Sequence, residues 1–457
     1  MSQPQQPSYP SHPPLPSYVP KQTTGRRKFW IAGLVLALLL ACGGGAYALW
    51  GGSGDDRAPS AAPGAGSAGA GALAWKKTAR TEPSNGAKNA RGAWFTPTTV
   101  VKPEPDMVTA YDLKSGKKQW SLVLDGVLCA SSRDVGGDRV LIALKSAGVC
   151  DAMTVIDIRR GVRLWSQPIA LHAADDPDLD NFRPDKWQAE LEVAVSGEQG
   201  LITWATGAKI IRLTDGKLIG DSPQKAPCRY IGAAGGSRML TVAHCERQSR
   251  VRSQNPEALD KPHWTWEGRE GEEVYEVLST HPVVLLIGDG QSRATRLVTL
   301  GDADGKERSR IELRHDHDTY PCSSSMSKCP EYLVDGDTIY LARKGSTAAY
   351  DLTNGREKWT YKADANRTAF PVAVRDGRLA VYVAGSPERS GELSRVSTRT
   401  GEAARTTRLA PDLRATEWRL ARPKGLVARL AGDRLLLINE GTLDSLDTDV
   451  IVAVAAP

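Results

Sequence analysis

Short apolar runs recur along this chain at nearly even intervals. Residues 139–144, 201–205, 239–243, 283–287, 338–341, 379–383 and 435–438 are each rich in Val, Leu, Ile and Ala and bounded by turn-forming residues. Runs of this length without polar alternation read as strands buried on both faces. After each comes a second β-rich run, which in the clear copies ends in Asp, meets a tight x-Gly turn and is followed by Trp. The clearest copies are Tyr111-Asp112 with Gly116 and Trp120, Ile156-Asp157 with Gly161 and Trp165, and Tyr350-Asp351 with Gly355 and Trp359. Degraded copies turn at Gly216, Gly305 and Gly401, and one with a longer turn leads from Val251 to Trp264 and Trp266. No amphipathic helix of useful length is predicted.

The spacing of these turns fixes the fold class. Six steps separate Gly116 from Gly401, about 47 residues per step, which suits a four-stranded propeller blade and not a helical-pair repeat. With 94–101 counted as the first, the buried runs number eight, so an all-β, eight-bladed propeller is predicted, with seven blades as the alternative. After the last run, 449–454 supplies a third strand and the sequence ends. The eighth blade therefore needs an outer strand from elsewhere. Residues 73–77 carry Trp75 in the outer-strand pattern of Trp120 and can supply it, closing the ring with the two ends of the domain.

The units at 107–122, 153–167 and 346–361 resemble the repeats of pyrroloquinoline-quinone-like (PQQ-like) propellers, of the V-A-Y-D-x-x-T-G-x-x-x-W kind. The resemblance covers residues 73–457. That family includes quinoprotein alcohol dehydrogenases, the outer-membrane assembly lipoprotein of Gram-negative bacteria, and sensor ectodomains of actinobacterial membrane kinases. Its Gly and Trp have structural work, positive φ at the turn and packing between blades, so they speak for fold and not for function.

The region before the repeats predicts where the propeller sits. Residues 1–28 are rich in Pro, Gln, Ser and Tyr and read as a disordered tail; its Pro13-Pro14-Leu15-Pro16 can dock an aromatic groove. Residues 29–50 carry no charge and are long enough for a transmembrane helix, with Trp30 and Trp50 near its ends. Lys21, Arg26, Arg27 and Lys28 place the tail in the cytoplasm and the propeller outside. Two other readings stay open: Leu39-Leu40-Ala41-Cys42 resembles a lipobox that would acylate Cys42, and Arg26-Arg27 faintly resembles a twin-arginine export signal. Residues 51–72, mostly Gly, Ala, Ser and Pro, read as a flexible linker. The formal net charge of +6 includes the four basic residues of the tail, so no nucleic-acid-binding stripe is implied.

Cysteine usage agrees with an oxidising compartment. Besides Cys42 there are six, falling as Cys129/Cys150, Cys228/Cys245 and Cys322/Cys329. Cys129 and Cys228 are expected to open innermost strands, and Cys150 and Cys245 to close the neighbouring strands, which places each pair side by side.

Sites for chemistry are sparse. A quinoprotein dehydrogenase of this family would hold quinone and calcium in the axial funnel, commonly beside a disulfide of adjacent cysteines; no two cysteines are adjacent here and no C-x-x-C-H haem motif occurs. Asp176, Asp178 and Asp180 alternate as in a calcium loop, but Trp187 stands where the bidentate Glu belongs. His315 and His317 lack an identifiable third ligand. The expectation is therefore a membrane-tethered, extracytoplasmic binding, scaffold or sensing module for a protein or cell-envelope ligand, with no catalytic, cofactor or metal residues. The alternatives are a quinone-dependent dehydrogenase and an envelope-assembly lipoprotein. Residues 172–185, 248–262, 314–330 and 386–393 are the loops expected to carry binding.

Overall fold

The computed structural model describes residues 69, 71–79, 88–89, 92–145, 150–169, 191–223, 228–289, 294–313, 331–421, 426–440, 442–443 and 448–456. Eight four-stranded antiparallel sheets follow one another along the chain. Seven are continuous in sequence, spanning 94–123, 127–168, 192–223, 228–267, 273–312, 332–362 and 369–408, and are numbered here as blades 1 to 7. Blade 8 takes three strands from 426–455 and its outermost from Leu73–Thr78, which pairs with Asp449–Ala455. The ring is thus eight-bladed and closed by its N-terminal strand.

The apolar runs form the second strand of each blade. In Val283–Gly288 every residue is buried, because a strand in mid-blade has a neighbouring blade on both faces. Its alternate side chains divide accordingly. Val283, Leu285 and Ile287 join a cluster with Val242 and Trp264 of blade 4, while Val284 and Leu286 join Leu341 and Tyr350 of blade 6. Each fully buried aliphatic side chain contributes roughly 1.5–3 kcal/mol, so blade-to-blade contact carries most of the stability.

The Gly and Trp of the repeat form a single joint between consecutive blades. At Gly161 φ is +69°, and a Cβ there would lie 2.3 Å from the ring of Trp120 on the previous blade. Only glycine suits both demands. The indole N–H then needs an acceptor, and finds the carbonyl three residues before the turn glycine: Trp165 Nε1 donates to Leu213 O at 2.8 Å, Trp264 to Asp302 O at 3.0 Å and Trp359 to Thr398 O at 2.8 Å. Blade 5 has no Trp, and Ser309 Oγ donates instead to the equivalent carbonyl of Leu352 at 2.6 Å. At the junction of blades 3 and 4 the Trp position is Gly220, over which Leu259 and the carbonyl of Pro256 lie.

Several expectations need correction. Residues 94–101 form not one strand but two, Trp94–Phe95 and Thr99–Pro103, separated by a turn in which the Thr99 N–H donates to Thr96 Oγ1. The linker does not run to 72. Gly71 N donates to Ala455 O at 2.7 Å and Ala455 N to Ala72 O at 2.9 Å, so pairing starts before Leu73. Gly71, with φ +85°, is in fact the turn glycine of blade 8. It stands four residues before Trp75, as Gly161 does before Trp165, and Trp75 donates to Leu113 O at 3.0 Å. One helix, α1 (Arg414–Ala421), was not foreseen; it follows a 3-10 turn at Pro411–Leu413 in the connection from blade 7 to blade 8. Its apolar residues are too few to give a helical period. The segments 1–28 and 29–50, with Cys42, lie outside the described residues, and among those described no helix is long and apolar enough to cross a membrane.

Candidate functional site

The turns joining innermost to second strands lie at one end of the axial channel. Those of blades 2 to 5 interlock. A Cβ on Gly136 would meet Gly197 O at 1.9 Å, and one on Gly235 would meet Val195 O at 2.1 Å, so both glycines are set by backbone approaching backbone. Gly236 N donates to Val195 O, Ser196 Oγ donates to Gly236 O, and Thr280 Oγ1 donates to Gly235 O at 2.8 Å. Blades 3, 4 and 5 are thereby locked together at their inner ends.

These turns enclose a polar cavity of about 220 Å³, walled by the innermost strands of blades 3 to 5 and by Arg133, Asp134, Ser237, Thr280 and His281. The loop carrying Arg133 is held firmly. Trp94 Nε1 donates to Ser132 O at 2.7 Å, Ser132 Oγ to Asp134 O at 3.0 Å, and Leu141 N to Ser132 Oγ at 3.2 Å. Arg133 itself makes no hydrogen bond or ion pair among the described residues. Its charge acts on Arg429, which stands on the innermost strand of blade 8, Leu426–Ala431. Burial and the nearby Arg133 together hold Arg429 below the usual guanidinium range, while Glu440 opposes the shift. Neither arginine carried a signal in the sequence, because blades 8 and 2 lie at opposite ends of the chain.

The expected site residues are placed as follows. Cys228 and Cys245 face each other in register on the first two strands of blade 4, Cα atoms 4.0 Å apart, and are disulfide-bonded. Cys129 and Cys150 are also bonded, with Cα atoms 6.1 Å apart. Here the route differs from expectation: Cys129 lies within a bulge of the innermost strand, and Cys150 opens the third strand instead of closing the second. Cys322 and Cys329, the carboxylates Asp176, Asp178 and Asp180, and His315 and His317 lie outside the described residues. Of the four expected binding loops, two are described, and both are occupied structurally. The turn after Gln248–Ser253 buries Leu259 against blade 3. The 386–393 loop is pinned by Glu417 of α1, which accepts from the Gly391 N–H at 2.9 Å and the Tyr382 hydroxyl at 2.7 Å.

Among the described residues no group of His, Cys, Asp and Glu is arranged to hold a metal ion. The cavity is smaller than the roughly 300–1,000 Å³ of drug-sized ligand pockets.

Among solved structures, the computationally designed protein Ika8 matches at 10% identity and a TM-score of 0.52, over 84% of this chain and 99% of its own. That likeness shows a shared fold alone. BamB from Moraxella catarrhalis (14% identity, TM-score 0.45, 82% of this chain and 99% of its own) superposes more loosely. So does the dihydro-heme d1 dehydrogenase NirN (14%, 0.48, 80% and 76%). No curated protein matches significantly. The family profile for outer membrane protein assembly factor BamB matches residues 65–221 and 252–448; the stretch between them takes in the first two strands of blade 4 and most of its third. With the Gly and Trp joints repeated around the ring and more than half of its length matched, the chain belongs to this family of PQQ-like propellers.

Proposed function

We propose that this chain is a non-catalytic binding propeller, held outside the cytoplasmic membrane through residues 29–50, whose protein or cell-envelope ligand engages the turn end of the axial channel. The observation carrying this reading is the cavity there: polar, about 220 Å³, and of the size of an inserted side chain. The repeat residues are occupied in joining blades, which leaves the turns and loops for recognition. Membership of a family described by an assembly factor supports protein as the ligand class.

A photo-reactive residue at Val135, on the exposed turn beside Arg133, tests the proposal in the full-length chain in its native envelope, with the exposed Val123 on the outer edge of blade 1 as control. A discrete adduct, identified by mass spectrometry as an envelope component and formed from position 135 only, is expected. Stoichiometric binding of pyrroloquinoline quinone with calcium would overturn the reading in favour of a dehydrogenase. Mass analysis of the mature N-terminus separates a membrane-spanning anchor from acylation at Cys42.

A further inference from the structure

Blade 7 departs from the repeat at its joint with blade 8. Where Gly161 is followed four residues on by Trp165, the turn glycine Gly401 is followed by Arg405, and this side chain is exposed. Its partner in register on the third strand is Arg395. The same two positions hold Trp120 and Ala110 in blade 1, Trp165 and Val155 in blade 2, and Trp359 and Ala349 in blade 6. Two arginines thus stand where an indole lies beside a small or apolar residue.

Strand alternation fixes the face they occupy. Ser394 and Thr406, the neighbours of Arg395 and Arg405, share a hydrogen bond at 2.9 Å, and Ser394 Oγ also meets the Tyr361 hydroxyl of blade 6. Leu393, two residues before Arg395, packs instead with Leu435 and Leu437 of blade 8. Arg395 and Arg405 therefore point into the groove between blades 7 and 8. Arg375, which ends the innermost strand of blade 7, crosses the same groove, donating to Leu430 O at 3.1 Å and Gly432 O at 3.0 Å. Burial, with the charges of Arg375 and Arg405, holds Arg395 below the usual guanidinium range.

Side chains directly opposite on antiparallel strands have Cβ atoms about 4.5–5.5 Å apart, and like charges placed there oppose folding. The joint between the blades does not require them. Gly71 of blade 8 is met by backbone instead: Ala410 N donates to Gly71 O at 2.8 Å, and a Cβ on Gly71 would lie 2.3 Å from Arg408 O. Among the described residues Arg405 makes no hydrogen bond or ion pair.

We propose that the groove between blades 7 and 8 binds a phosphate group between Arg395 and Arg405, with Arg375 as a further cation toward the axis. Phosphate is favoured over carboxylate because one guanidinium fork fills the two oxygens of a carboxylate, whereas a tetrahedral phosphate can face two forks. The site is separate from the cavity walled by blades 3 to 5, and its failure would leave the function proposed above untouched.

The test titrates the full-length chain in mild detergent, at constant ionic strength, with tripolyphosphate, orthophosphate and hexaglutamate, followed by calorimetry. Saturable binding of phosphate anions and none of hexaglutamate is expected; tighter binding of tripolyphosphate assigns the groove to a phosphate chain, and equal affinity assigns it to a single phosphate. Arg405→Gln should weaken binding at least about tenfold, the size of one charge-assisted hydrogen bond. Arg405→Lys, which keeps the charge and loses the fork, should restore only part of it. Arg399→Gln, an exposed cation on the adjoining turn, should change it less than about twofold. Arg405→Gln should also leave the thermal midpoint of the unliganded protein unchanged or raised, since it relieves repulsion; an arginine serving only the fold would lower it. No saturable phosphate binding, hexaglutamate binding as tight as phosphate, or equal binding by Arg405→Gln and the parent overturns the proposal.

Discussion

Glu272 offers a quantitative test of how the blades are held. It stands just before the innermost strand of blade 5 and is 5% exposed. Burial by itself would raise its pKa. Hydrogen bonds from Arg310 at 2.6 Å, from the Arg269 N–H at 3.0 Å and from Arg296 at 2.7 Å outweigh burial and bring it down to about 2, from an ordinary 4.5. At 1.36 kcal/mol per pH unit, this difference is about 3 kcal/mol of folding free energy. The folded value is the depressed one. Hence the contribution is fully present above pH 4.5 and is lost as pH falls toward 2. Glu272→Gln keeps the shape and one acceptor but removes the buried carboxylate that Arg296 and Arg310 share, leaving them only Glu312 and Glu307. Urea unfolding followed by tryptophan fluorescence, repeated from pH 7 to pH 2, should show the variant about 3 kcal/mol less stable at neutral pH, with the gap closing toward pH 2. Parallel stability curves across that range would refute the assignment, because a loss independent of pH is packing and not charge.

Three further outcomes are expected. Trp75→Ala should cost about 3–5 kcal/mol and, unlike other core truncations, should selectively speed amide exchange in Asp449–Ala455, measured by hydrogen-exchange mass spectrometry. Glu417 has its pKa raised by burial, against the Gly391 N–H, the Tyr382 hydroxyl and Arg367; stability from this group is full below about pH 4.5 and lost as pH rises through the raised value, so Glu417→Gln should flatten the decline in thermal midpoint expected of the parent above pH 4.5. Replacing Cys228 and Cys245 together by Ala opens a loop of sequence separation 17 and should cost about 3 kcal/mol in urea unfolding, a loss that reducing agent should reproduce in part in the parent.

The ring was legible in the sequence because its joints are made by residues with little choice. A positive φ under an indole admits only Gly, and an indole N–H that must be buried needs a carbonyl, so Gly161 and Trp165 announce themselves. Where the joint is made otherwise, the signal is lost: Ser309 replaces an indole with a hydroxyl, and Leu259 reaches Gly220 from a turn in the next blade. Gly71 was hidden in a linker-like stretch of glycines, although its distance to Trp75 matched the repeat. Cys150 opens the third strand of blade 2 and does not close the second, because the second strand ends at Lys145.

That closure also dictates an order of events. Among the described residues Leu73–Thr78 is the first strand synthesised, yet its partner Asp449–Ala455 is the last of them. While the rest of the chain emerges, the earliest strand has an open edge and Trp75 has an exposed ring, and blade 1 can dock on nothing before it. The final act of folding is therefore a contact across almost the whole chain, slow by its sequence separation. Any helper that shields an edge strand during synthesis would act on this first segment, and a nascent propeller truncated anywhere before residue 449 would leave it permanently unpaired.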